Sequence, residues 1–191
     1  MTRRLAPIAA VVLAACAALA PAAWAISGTV VDPDRKPVVG GKVCYTAAGA
    51  EVLCSVTDES GHYDLPNSSL DRIRILADGF LPLKLAAVDH AAPIELKRAA
   101  TLLVRLRDAD GGGAIGEGQV LLLFPDGHKL GPAPVSAGGV RFRRQVPGTV
   151  IVQGVAQGYR AGEPIEVAMP AGKQTEVVVD LVADPVSPPA E

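Results

Sequence analysis

Aromatic side chains are scarce in this chain: one Trp, three Tyr and three Phe, 4% of 191 residues. Past residue 25 they are Tyr45, Tyr63, Phe80, Phe124, Phe142 and Tyr159, too few for the exposed platform on which sugars stack. Histidine is equally rare. His62, His90 and His128 each have an aspartate within two residues, Asp64, Asp89 and Asp126, but no G-x-S-x-G elbow supplies a nucleophile, so these pairs read as solvated turn residues. Excess charge is missing as well. The formal net charge is −2, which gives no electrostatic ground for a nucleic-acid partner. After residue 25 there is no apolar run long enough to span a bilayer and no helical periodicity. The sequence therefore predicts no enzyme, no cofactor and no metal ligand.

The one long apolar run stands at the start. Arg3 and Arg4 precede a run over 5–20 broken by Pro7, and Pro21 precedes Ala23-Trp24-Ala25, a small-x-small cleavage pattern. Residues 1–25 read as a signal peptide, and its removal takes the net charge from −2 to −4 by deleting Arg3 and Arg4. The rival is lipidation at Cys16, since Leu13-Ala14-Ala15-Cys16 is similar to a lipobox. Residues 17–25 would then be an apolar tether, whereas such tethers are usually polar. The expected location is periplasmic or secreted, with a lipid anchor in the outer membrane through Cys16 as the alternative and no transmembrane span in the mature protein.

Present in quantity are glycine, 20 residues, and proline, 16, which suit many short strands joined by turns. The pattern from Ile26 onward is β. Arg72-Ile73-Arg74-Ile75 alternates as a half-buried strand does, and Asp-Pro-Asp at 32–34 has turn geometry. The organising turn is 57–63, in which Asp58 and Ser60 can bond nearby backbone and Gly61 can take positive φ. It returns as 136–142, which places Phe142 where Tyr63 stood. Gln157-Gly158-Tyr159 likewise repeats Asp78-Gly79-Phe80, and Asp108-Ala109-Asp110 repeats the earlier Asp turn. Tyr63, Phe80, Phe142 and Tyr159 are thus expected to be core rings. Asp32 with Asp34, and Asp108 with Asp110, offer two carboxylates per turn where calcium takes about 6–8 oxygens, so turn formation is the preferred reading. The chain divides into β units 26–98 and 99–183 and a Pro-rich flexible tail, 184–191.

Cys44 and Cys54 lie symmetrically about Gly49. A hairpin turning there would bring them face to face, and an oxidising compartment would join them; two buried free thiols are the alternative.

Gly28-x-Val30-x-Asp32, Pro37-x-x-Gly40-x-x-Val43, Thr57-Asp58-x-x-Gly61-x-Tyr63 and Ala77-x-Gly79-Phe80 together resemble the carboxypeptidase regulatory-like domain. That resemblance implies an all-β fold of two tandem seven-stranded transthyretin-like (prealbumin-like) sandwiches. It covers 26–98 well and 99–183 more weakly, because Gly111, Gly112 and Gly113 replace the turn proline and Ala137 the turn aspartate. Family members are mostly non-catalytic modules. Transthyretin-like hydrolases end in Tyr-Arg-Gly-Ser, whereas this chain ends Pro188-Pro189-Ala190-Glu191.

In 119–124 only alternate residues can face a sandwich core. With Val120, Leu122 and Phe124 inward, Leu121 and Leu123 face outward, and Leu103 extends them into a candidate interface. Arg105, Arg107, Arg141, Arg143 and Arg144 read as solvated outward faces. The expected role is structural or protein-binding in the cell envelope, with an envelope protein or a polysaccharide as partner; a carbohydrate- or small-ligand-binding module is the alternative.

Overall fold

Alternation of apolar and polar residues lays down strand after strand. The computed structural model describes residues 25–47, 49–66, 72–88 and 91–184. Residues 1–24 with Cys16, the His90–Asp89 pair and the tail beyond 184 lie outside them. The described residues are all-β. In chain order the strands are β1 (Ala25–Val31), β2 (Lys42–Ala47), β3 (Ala50–Val56), β4 (His62–Pro66), β5 (Arg72–Leu76), β6 (Leu83–Ala86) and β7 (Ile94–Glu95). They continue as β8 (Ala100–Asp108), β9 (Ala114–Ile115), β10 (Gly118–Leu123), β11 (Lys129–Val135), β12 (Val140–Gln145), β13 (Gly148–Val155), β14 (Ile165–Met169) and β15 (Gln174–Leu181).

Four sheets result, ordered β4-β1-β7, β3-β2-β5-β6, β12-β8-β15 with β9 beside β8, and β11-β10-β13-β14. The orders repeat. β8 is flanked by antiparallel β12 and parallel β15 as β1 is by antiparallel β4 and parallel β7. β10 lies between β11 and β13 as β2 lies between β3 and β5. Only β9 has no named counterpart; in its place Pro37 makes a single bridge to Val31. The buried apolar side chains form two clusters, one drawn from 26–96 and one from 100–181. Ile73 and Ile75 of β5 and Val120 and Leu122 of β10 are fully buried while their neighbours in sequence face outward or are half-covered, as a two-residue period demands.

The aromatic repeat differs from expectation in detail. Tyr63 stands opposite Gly28 on β1, whereas Phe142 stands opposite Leu102 on β8. Asp32 and Asp108 close matching turns, so Gly28 corresponds to Val104, and Val104 faces Val140. Phe142 thus sits two residues further along its strand, on the same inward face. The cause is the residue across the strand: glycine leaves space for a ring that valine occupies. Tyr63 and Phe142 are buried, and Phe80 and Tyr159 are half-buried against the two clusters.

The predicted apolar patch also needs correction. Leu103 does face away from the core, but it is only 6% exposed. Its neighbours in the sheet are Arg141 and Glu176, and Glu176 is bonded to Arg105; these long side chains roof it over. Leu121 and Leu123 are half-buried. Their outward face continues across β13 into Ile151 and Val155, each 41% exposed.

Candidate functional site

Aspartates that end the first strand of each half act as hubs. Asp32 Oδ1 accepts the backbone N–H of Asp34 at 2.8 Å and of Lys36 at 2.9 Å. Its Oδ2 accepts from Arg98 at 2.8 Å, and the same guanidinium nitrogen reaches Asp34 at 2.7 Å. Asp108 repeats the design: Oδ1 accepts the N–H of Asp110 at 2.9 Å and of Gly111 at 3.0 Å, and Oδ2 the Tyr159 hydroxyl at 3.2 Å. These oxygens hold turns, with an arginine already placed against the Asp32–Asp34 pair.

The Lys36 N–H holds the Asp32 carboxyl below its ordinary pKa, with help from Arg98 and against partial burial. The Gly111 N–H does the same for Asp108, the Ser60 hydroxyl for Asp58, Lys42 for Glu51 and Arg107 for Asp180. A lowered folded-state pKa means that the unfolded chain binds more protons, so these groups stabilise the fold above about pH 4 and lose that effect as pH falls through their folded values. The melting temperature should therefore stay level from pH 8 to 5 and drop steeply below about pH 4. Asp32→Asn should flatten that drop. An acid transition of unchanged steepness in Asp32→Asn would show that its carboxylate does not drive it.

The side chains of the two described histidines, His62 and His128, take no part in the Asp32 and Asp108 hubs. His62 Nε2 lies 3.3 Å from Asp64 Oδ2 on an open strand face. His128 sets its ring 5.7 Å from that of Phe124, and its backbone N–H donates to Asp126 Oδ1 at 2.9 Å.

The arginines are mostly paired across strands. Arg107 makes a two-pronged contact with Asp180 at 2.6 and 2.9 Å, and Arg105 bonds Glu176. Arg144 is one of two arginines among the described residues with a left-handed backbone, the other being Arg35. Arg144 has φ of 56° at the register shift of β12, a conformation that L-residues seldom adopt, and its guanidinium meets Asp78 at 3.2 Å. Three clefts share Arg144. One, of about 470 Å³, lies beside Asp32, Lys42, Asp78 and Phe80. Another, of about 420 Å³, is walled by Phe124, Pro125, His128, Val146 and Pro147. A third joins Arg143 and Arg144 to Asp78 and Thr101.

In the first half, Cys44 and Cys54 face each other across β2 and β3 and are joined in a disulfide. Their sulfurs and the Glu51 carboxylate are the one group among the described residues with the donor set and spacing to hold a metal; with the sulfurs bonded to each other, no thiolate is left to ligate one. Denatured protein kept from reductant should show no reactive thiol at either position, and replacing both by serine should cost about 2 kcal/mol.

No family model matches the chain, and no curated protein matches it. Solved structures similar to it include the Bacillus anthracis TIE protein, at 13% identity over 83% of this chain and 34% of that one, with a TM-score of 0.42. The shaft pilin SpaA of Lactobacillus rhamnosus GG is similar at 10% identity over 86% of this chain and 99% of that one, TM-score 0.41. The minor pilin GBS52 of Streptococcus agalactiae gives 13% identity, 87% and 99% coverage and a TM-score of 0.38.

Sequence reasoning placed the turn aspartates and the cysteine pair correctly next to their partners in sequence. It did not see Arg98 reaching Asp32 or Arg144 reaching Asp78, contacts made across 66 residues in each case. Arg98 closes the 26–98 segment, where it follows Lys97 just after β7 and nothing local distinguishes the two cations.

Proposed function

We propose that this is an exported, non-catalytic protein of two tandem transthyretin-like sandwiches, 26–98 and 99–183, of carboxypeptidase regulatory-like type, with a structural or protein-binding role in the cell envelope. The observation that carries the reading is the outward face of β10 and β13. There Leu123 stands opposite Ile151, with Leu121 and Val155 on the same face and Gln119 and Gln153 between them, on a sheet whose other face already fills a core. Apolar side chains gathered on an outward face favour a contact with another protein. The ionisable groups support the non-catalytic part. Every described carboxyl with a shifted pKa is pushed down, which suits ion pairs and turns, whereas a general acid at neutral pH needs the opposite shift.

Leu123→Lys with Ile151→Lys tests the contact. The double variant should keep the melting temperature within about 2 °C, since outward changes cost little, and lose the envelope proteins that co-purify with the mature chain. Unchanged co-purification sinks the protein-binding reading. For the domain division, residues 99–184 alone should unfold in one cooperative transition; a non-cooperative melt would show that the halves do not fold separately.

A small-ligand module is the second reading. It rests on the cleft beside Phe124, Pro125, Val146 and Pro147, where an apolar wall meets the Arg144 charge, the mix that ligand sites use.

A further inference from the structure

The Cys44–Cys54 bridge is asymmetric. Cys44 lies on the middle strand β2 and is fully buried. Cys54 lies on β3, the edge of its sheet, and is exposed. The cross-strand partner of Cys44 on its other side is Arg74 of β5, whose Nε is buried and has no hydrogen-bond partner among the described residues. Arg74 Nη1 lies 3.9 Å from Glu51, and Lys42 Nζ bonds the same carboxylate at 2.6 Å. The Glu51 oxygen and both sulfurs lie within 4.8 Å of one another. Two cations and one anion therefore lie around a disulfide that joins a buried residue on the middle strand to an exposed residue on the edge strand.

We infer that this disulfide is a directional thiol-exchange site: an external thiol is taken up at Cys54, and Cys44 leaves as a thiolate held by Arg74. The attacking thiolate forms a new S–S bond to Cys54 Sγ as the Cys54–Cys44 bond breaks, and its electron pair goes to Cys44 Sγ. A second thiol from a dithiol donor then attacks the donor sulfur of the mixed disulfide and releases Cys54 as thiolate. The donor is oxidised to a disulfide, and the pair is reduced by two electrons. Geometry sets the direction, because a thiol arriving from the open edge of the sheet meets Cys54 first, with the bond to Cys44 behind it. Charge sets the rate: a leaving thiol departs faster as its pKa falls, and an adjacent cation lowers it. Arg74, cross-strand from Cys44 and with its Nε–H unpartnered, is the cation placed to favour a negative charge on that sulfur. The recognised chemistry is a small thiol or an exposed protein dithiol.

The test uses the native full chain carrying Cys16→Ser, with glutathione and dithiothreitol as probes, below the melting temperature. Exchange should rise linearly with thiol concentration, and the glutathione adduct should map to Cys54. Arg74→Gln should slow exchange several-fold, because the departing Cys44 thiolate loses the cation beside it. Glu51→Gln should accelerate it, because an anion beside the developing thiolate is removed. The opposite signs matter, since a merely loosened edge would speed exchange in both variants. A rate that plateaus at the global unfolding rate, an adduct on Cys44, acceleration in both variants or no change in either would each overturn the inference.

Discussion

Tyr63→Ala lowers unfolding free energy by about 3–5 kcal/mol, read as a shift in urea midpoint. Tyr63 is 1% exposed and sits in the first core cluster with Val30, Leu65 and Ile73. Its ring lies over Gly28: a Cβ placed on that glycine would stand 2.8 Å from the Tyr63 hydroxyl oxygen and 2.9 Å from Cε1. Deleting the ring leaves a cavity that Gly28, with no side chain, cannot fill. Gly28→Val alone should also cost about 1–3 kcal/mol, by overpacking. The second half supplies the complement, for there the equivalent cross-strand pair is Val104 with Val140. The double variant Gly28→Val, Tyr63→Val should therefore be more stable than the sum of its single changes by roughly 1 kcal/mol or more. Strict additivity would show that ring and glycine are not coupled.

Gly61→Ala and Gly139→Ala come next, each with an expected loss of about 3 kcal/mol, part from the left-handed backbone at about 1–2 kcal/mol and the rest from a clash. Gly61 has φ of 76° and Gly139 of 89°. Added Cβ atoms would stand 2.4 Å from the Val30 carbonyl oxygen and 2.5 Å from that of Val104, backbone atoms that cannot move without breaking a strand. Gly79 and Gly158 have the same sign of φ but open space at the Cβ. Alanine there should cost only about 1 kcal/mol. Equal losses at all four positions would refute the clash and leave backbone conformation as the whole effect.

The turn at 57–63 was legible because its chemistry is local. Asp58 Oδ1 accepts the N–H of Ser60 at 2.8 Å and of His62 at 2.9 Å, and those contacts are written within five residues. The same holds for Asp32 and Asp108, and for Cys44 and Cys54, brought together by a hairpin that closes within ten residues. The placement of Phe142 was not legible, because it depends on whether glycine or valine stands across the strand on β8, decided by pairing and not by spacing along the chain.

By itself, then, the sequence determined the all-β class, the turns and the repeat, since hydrogen-bonding turn residues and two-residue alternation act within one short segment. Only the tertiary structure decided that Leu103 is buried beside Arg141 and Glu176, that Ile151 of β13 stands opposite Leu123, and that one cysteine of the disulfide is buried while the other lies exposed on an edge strand. Each of those depends on which strand lies next to which and where a sheet ends. Alternation states that a residue faces outward; neighbouring strands determine what it then meets.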